Sequence, residues 1–118
     1  MTALSELTDA LTPSPVGPNA ALLLKDWSIL RHGYWERIAG ERPAALRSDF
    51  IDRAREFAEF EALAGELAAG ECLVHGDIRA DNVLLTDDRV WFVDWAHAYI
   101  GAPWVDVVLM APSVWQYV

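Results

Sequence analysis

Read from the amino end, the pattern of apolar and polar positions changes character three times. Residues 1–19 show no sustained period and hold Pro13, Pro15, Gly17 and Pro18, which suits a linker or extended lead-in rather than a helix. From Asn19, a candidate cap, Leu23, Trp27, Leu30, Tyr34 and Ile38 recur at about 3.6 residues and predict one helix closed by Gly40, with Gly33 its weakest point. A second helix is predicted from near Ser48, with Asp49 and Asp52 in the favoured acidic first turn. Phe50, Ala54, Phe57, Ala64 and Leu67 fall on one side of it before Gly70, and the other face is charged.

Beyond Gly70 the apolar runs shorten to Cys-Leu-Val-His, Val-Leu-Leu and Val-Trp-Phe-Val, the signature of strands. The polar stretch Thr86–Arg89 between the last two predicts a β-hairpin. After Pro103 a final helix is expected over Trp-Val-Asp-Val-Val-Leu-Met, running into Pro112. The class is α+β with helices dominant.

At 118 residues the chain is at most one domain, and 53% hydrophobic residues with 23% charged ones favour a packed core over disorder. Eighteen acids against nine bases, a net charge of -9, disfavour nucleic acid and anionic membranes as partners. The same charge would attract a cationic small molecule, or serve solubility alone. Cys72 is the single cysteine, so no internal disulfide forms, and Leu73 and Val74 beside it mark a core position. No apolar run approaches the roughly 18 residues of a membrane helix, and no leader pattern opens the chain. A cytoplasmic location is expected.

The chemistry concentrates in Leu73–Asn82, where His75, Asp77 and Asn82 stand as His-x-Asp-x-x-x-x-Asn, the spacing of the protein-kinase catalytic loop. If the hairpin turns about Asp88, with Asp87, Asp88 and Arg89 as its loop, Val83 faces Val93 and Asn82 faces Asp94. Opposed residues have Cβ atoms roughly 4.5 to 5.5 Å apart, close enough for an amide oxygen and a carboxylate to share a hard cation, for which Mg2+ is the natural choice. Asp77, on the loop before that pair, is the candidate catalytic base, set apart from the metal ligands by room for a hydroxyl and a phosphoryl group. Arg79 has two readings, neutralising a transferring phosphoryl group or forming a surface ion pair with Asp81. His75 reads as scaffold, and Asp87 and Asp88 as a solvated turn. An EF-hand is excluded by the loop residues, and the scattered histidines give no zinc spacing.

His-Gly-Asp-Ile-Arg-Ala-Asp-Asn, then Phe-Val-Asp-Trp, then Gly-Ala-Pro-Trp-Val-Asp-Val-Val resembles the aminoglycoside phosphotransferase and choline kinase-like family, whose fold is similar to that of protein kinases. The resemblance implies Asp77 as catalytic aspartate, Asn82 and Asp94 as magnesium ligands, and Asp106 as the acid that braces the catalytic loop from the start of a helix. Gly76 stands where protein kinases carry an arginine that answers activation-loop phosphate, which implies no phosphorylation switch. Ala96 and Ala102 occupy places where many relatives carry acids.

No Gly-x-Gly phosphate loop precedes the motif, and Lys25, the sole lysine, lies in a helical pattern. The chain is therefore expected to be a partial kinase-like C-terminal lobe over 20–118, lacking the ATP-holding lobe and the final helices. The complete enzyme would transfer phosphoryl from ATP, with Mg2+, to a small-molecule hydroxyl such as an amino alcohol or aminoglycoside. The alternative is a non-catalytic or partner-dependent lobe; a metal-dependent hydrolase is disfavoured by the ordered motif. This chain alone is expected to be inactive. Its apolar content and six tryptophans lead to an expectation of self-association through exposed apolar surface.

Overall fold

A computed structural model of the chain describes residues 3–27 and 33–115. By contacts the chain divides into two compact units, residues 1–24 together with 68–118, and Lys25–Leu67.

In the first unit, residues 1–19 are not extended throughout: helix α1 spans Ala3–Ala10, ahead of the prolines. After it, Leu11 and Ser14 bond the backbone of β2 (Cys72–Val74) and its neighbour, since Leu73 N–H donates to the Leu11 carbonyl at 3.0 Å and Ser14 N–H to that of Glu71 at 2.6 Å. The lead-in thus covers one edge of that strand. On the other edge lies β5 (Tyr99–Gly101), antiparallel, with Cys72 opposite Gly101 and Val74 opposite Tyr99. The short β1 (Leu22–Leu23) pairs parallel with β5, giving the order β1-β5-β2.

That pairing corrects the long helix expected over 20–40. Leu22 and Leu23 are drawn into a sheet by Tyr99 and Ile100, a partner that local periodicity cannot foresee. Lys25 lies in a single 3-10 turn, Leu24–Asp26, and Leu30 falls outside the described residues. Gly33 sits at φ 60°, a left-handed conformation that an L-residue rarely adopts, and only after it does helix α2 (Tyr34–Glu41) begin.

The core of the first unit gathers Leu24, Cys72, Val74, Ile78, Ile100, Ala102 and Val105, with His75 wholly enclosed. The hairpin comprises β3 (Val83–Leu85) and β4 (Val90–Phe92). Helix α5 (Val105–Trp115) does not stop at Pro112 but carries it inside, so one backbone bond is forgone while the helix continues. Its Val107, Val108, Val114 and Trp115 are exposed. No helix among the described residues is long and apolar enough to cross a membrane.

The second unit is helical. The stretch from Ser48 is two helices, α3 (Ser48–Asp52) and α4 (Ala54–Leu67), with Arg53 between them. Trp35 of α2 packs against Phe57 of α4, the rings tilted with centroids 4.6 Å apart, and Ile51 and Ala54 are buried. Glu61 reaches the open start of α2, its two carboxylate oxygens accepting the N–H groups of Tyr34 and Trp35 at 2.9 Å each.

Candidate active site

The site is built on the loop between β2 and β3. Leaving β2, the chain turns at Gly76, whose φ of 79° is left-handed. A Cβ there would run into the His97 backbone carbonyl and touch the Tyr99 ring. Backbone geometry and crowding therefore both demand glycine at this position.

Asp106, in the first turn of α5 and 4% exposed, accepts the His75 N–H at Oδ2 (2.7 Å) and the Gly76 N–H at Oδ1 (2.9 Å). A buried carboxylate is tolerable only when so paired, and bonds to a charged acceptor contribute about 1.5–3 kcal/mol each. The His75 ring then ties the two halves of the motif together. A carbonyl can only accept and an amide N–H can only donate, so Nε2–H donates to the Val93 carbonyl at 2.8 Å while Nδ1 accepts from Asp77 N–H at 3.3 Å. Trp95 packs against that ring at 4.6 Å and donates its indole N–H to the Phe92 carbonyl at 2.9 Å. His75 is thus committed to scaffold contacts on both nitrogens.

Asn82 closes a 3-10 turn, Ala80–Asn82, and is buried. Its Nδ2 donates to the Asp77 carbonyl at 2.9 Å and lies 3.4 Å from Asp77 Oδ2. This differs from the expected separation of Asp77 from the metal pair, because the Asn82 amide touches Asp77 directly. With Nδ2 so engaged, the amide's remaining polar atom is the hard oxygen Oδ1.

Arg79 pairs with Asp81 through both ends of its guanidinium, Nε to Oδ1 at 3.1 Å and an Nη to Oδ2 at 2.9 Å, while Nε stands 3.7 Å from Asp77 Oδ1. The hydrogen bond to Asp81, then the charges of Asp77 and Asp81 and finally that of Asp94, hold Arg79 above its ordinary range. The Asp81 carboxyl is pushed down in turn, chiefly by the Arg79 hydrogen bond. Three acids therefore share the neighbourhood of one guanidinium.

The hairpin register departs from the expected one by a residue. Val83 pairs with Phe92, Leu84 with Trp91 and Leu85 with Val90, and the Val93 N–H donates to the Asn82 carbonyl at 3.0 Å. Asn82 therefore opposes Val93, not Asp94. The cause lies in the turn. Thr86 N–H donates to the Arg89 carbonyl at 2.9 Å and its hydroxyl bonds Asp88 Oδ1 at 3.0 Å, leaving a two-residue loop, Asp87–Asp88, instead of three. Asp94 does not continue the strand but turns at φ 63°, ψ 64°, uncommon for a non-glycine residue though most accessible to Asp and Asn. Asn82 and Asp94 are thus not an opposed pair, and the orientation of Asp94 follows from this backbone turn.

A model of the phosphotransferase enzyme family matches residues 10–117. The chain belongs to that family. It is also 35% identical over 51 residues to protein LicA of Haemophilus influenzae, a match covering 43% of this chain and 18% of LicA. No solved structure matches.

Within this phosphotransferase-family chain the loop brings together His75, Asp77, Arg79, Asn82 and Asp106, whereas Asp94 makes only the weakest contribution to the charge effects on Arg79. Among the described residues no cluster of three or more His, Cys, Asp or Glu is arranged for a metal. Sequence reasoning overlooked two supports. Trp95, quoted only as part of the motif, is the wall against His75, and its signal was an aromatic directly after Asp94. Ser113, whose hydroxyl accepts the Ala80 N–H at 2.8 Å, carried no signal at all.

Proposed function

We propose that loop 75–82 with Asp94 is the phosphoryl-transfer centre of a small-molecule kinase, and that residues 20–118 form part of a kinase-like C-terminal lobe. The observation that carries this reading is the Asp77–Asn82 contact, held from beneath by His75 and Asp106. Asp77, partly exposed, accepts or orients the proton of an acceptor hydroxyl. Asn82 Oδ1 and the Asp94 carboxylate are hard oxygens suited to Mg2+, which when bound would balance the charge of the donor phosphates. Arg79 exchanges its Asp81 contact for the transferring phosphoryl group.

ATP is the proposed donor and an amino alcohol or aminoglycoside the proposed acceptor class. A cavity of about 350 Å3 lies beside Arg79, walled mainly by apolar groups such as Val83 and Met110. The alternative reading is a lobe that acts only with a separate nucleotide-binding half; the match to LicA spans 18% of that protein's length.

The test is incubation with Mg-ATP and a panel of such alcohols, followed by 31P detection of product. Turnover lost in Asp77→Ala supports a self-sufficient kinase. Without turnover, divalent-ion binding at Asn82 and Asp94 selects the partner-dependent lobe, and absence of both overturns the phosphoryl-transfer reading. Self-association through the exposed apolar residues of α5 is proposed as well, and sedimentation giving a monomer at all concentrations would refute it.

A further inference from the structure

We infer that Ser113 is a positioning residue for the loop that carries Asp77 and Asn82. Helix α5 grips this loop twice. In its first turn Asp106 takes the N–H groups of His75 and Gly76, and seven residues later Ser113 Oγ accepts the N–H of Ala80. Positions seven apart lie on the same helix face, separated by roughly 10.5 Å of rise. The two grips therefore fall on either side of Asp77.

The second grip acts where the backbone needs it. Ala80 opens the 3-10 turn whose last residue is Asn82, and the first N–H groups of such a turn have no acceptor within it. Arg79, at the cap position, supplies no side-chain cap, its guanidinium being turned to Asp81 and Asp77. The cap comes instead from Ser113, 33 positions away in sequence. The turn fixes where the Asn82 side chain leaves the backbone, and that side chain in turn holds the Asp77 carbonyl. Displacing Ala80 consequently moves the Asn82–Asp77 contact, while the Asp106 grip on His75 and Gly76 stays in place.

The geometry stands by itself, whereas its consequence for catalysis rests on the phosphoryl-transfer reading. The experiment compares Ser113→Val with Ser113→Thr in the full chain by 15N NMR, since the two side chains share a shape and differ in the hydroxyl. In the Val variant the Ala80 amide should exchange about five- to tenfold faster and the Asn82 side-chain NH2 resonances should move, with His75 and Gly76 amides still protected. Thr should restore both. Mn2+, added as probe, should bind near Asn82 several-fold more weakly in the Val variant than in the Thr variant. Should Val unfold the chain, Ser113→Ala carries the same comparison.

Unmoved Asn82 side-chain resonances in a folded Val or Ala variant would overturn the inference, as would failure of Thr to restore them. If the unsubstituted chain takes no Mn2+ near Asn82, the phosphoryl-transfer reading falls, and the Asn82 resonances still decide the role of Ser113.

Discussion

The helical unit Lys25–Leu67 and the loop 75–82 differ in how deeply the groups that secure their backbones are buried. The helical unit relies on tilted aromatic packing and on surface ion pairs, Arg42–Asp52, Arg47–Asp49 and Arg53–Glu56, all well exposed. Arg47 and Arg53 also lie over the Phe50 and Phe57 rings. Each such contact is screened by water and can be lost singly at little cost. The loop instead relies on a buried carboxylate and an enclosed imidazole. Its contacts through Asp106 and His75 leave enclosed polar groups stranded if removed. Redundancy serves a scaffold, whereas a loop that must hold one geometry concentrates its stability in a few irreplaceable groups.

The largest expected effect is at Asp106. Asp106→Ala strands the two amides of His75 and Gly76 and should lower unfolding stability by about 3–5 kcal/mol in chemical denaturation. An effect below about 1 kcal/mol would erase the contrast with the helical unit. Gly76→Ala comes next, since its φ of 79° and the His97 carbonyl both oppose a methyl group. A loss of about 2–4 kcal/mol is expected, with the far-ultraviolet signal of the helices retained.

Smaller and opposite in sign is Asp94→Gly, which removes the cost of a left-handed non-glycine residue. It should stabilise the chain by about 0.5–1 kcal/mol while weakening divalent-ion binding, and Asp94→Ala should give no such gain. Stabilisation by both variants alike would mean that the backbone turn carries no strain.

The smallest effect sharpens the comparison from the surface side. Asp81 is depressed by Arg79, so the stability it contributes is present above the ordinary carboxylate range and fades as pH falls through its lowered value. An NMR titration should show the Asp81 carboxyl rising toward its ordinary value in Arg79→Gln, with the difference shrinking in high salt. An Asp81 titration indifferent to Arg79 would remove the pairing from the account.

Much of this arrangement is legible in sequence because its signals are local. The runs at 72–74, 83–85 and 90–92 are short, rich in β-formers and bounded by turn residues, and they are strands. Leu22 and Leu23 misled because their partner, β5, lies far along the chain, so a helical period there was overridden by tertiary pairing. The register slipped by one because Asp87–Asp88 and Asp87–Arg89 are both plausible loops by composition, and the Thr86 hydroxyl chooses between them. The left-handed turn at Asp94 leaves no mark in an apolar alternation. Asp106 was readable only through the family motif, and Ser113 not at all, since serine in a helix carries no pattern.

The proposed phosphoryl-transfer centre requires Asn82 and Asp94 to serve one divalent ion beside Asp77, and titration of the 15N-labelled chain with Mn2+ tests this most directly. Paramagnetic broadening should centre on the Asn82 side chain and the Asp94 amide, extend to Asp77, and be displaced by excess Mg2+ and lost in Asp94→Asn. Broadening centred on the Asp87–Asp88 turn, or persisting undiminished in Asp94→Asn, would contradict it.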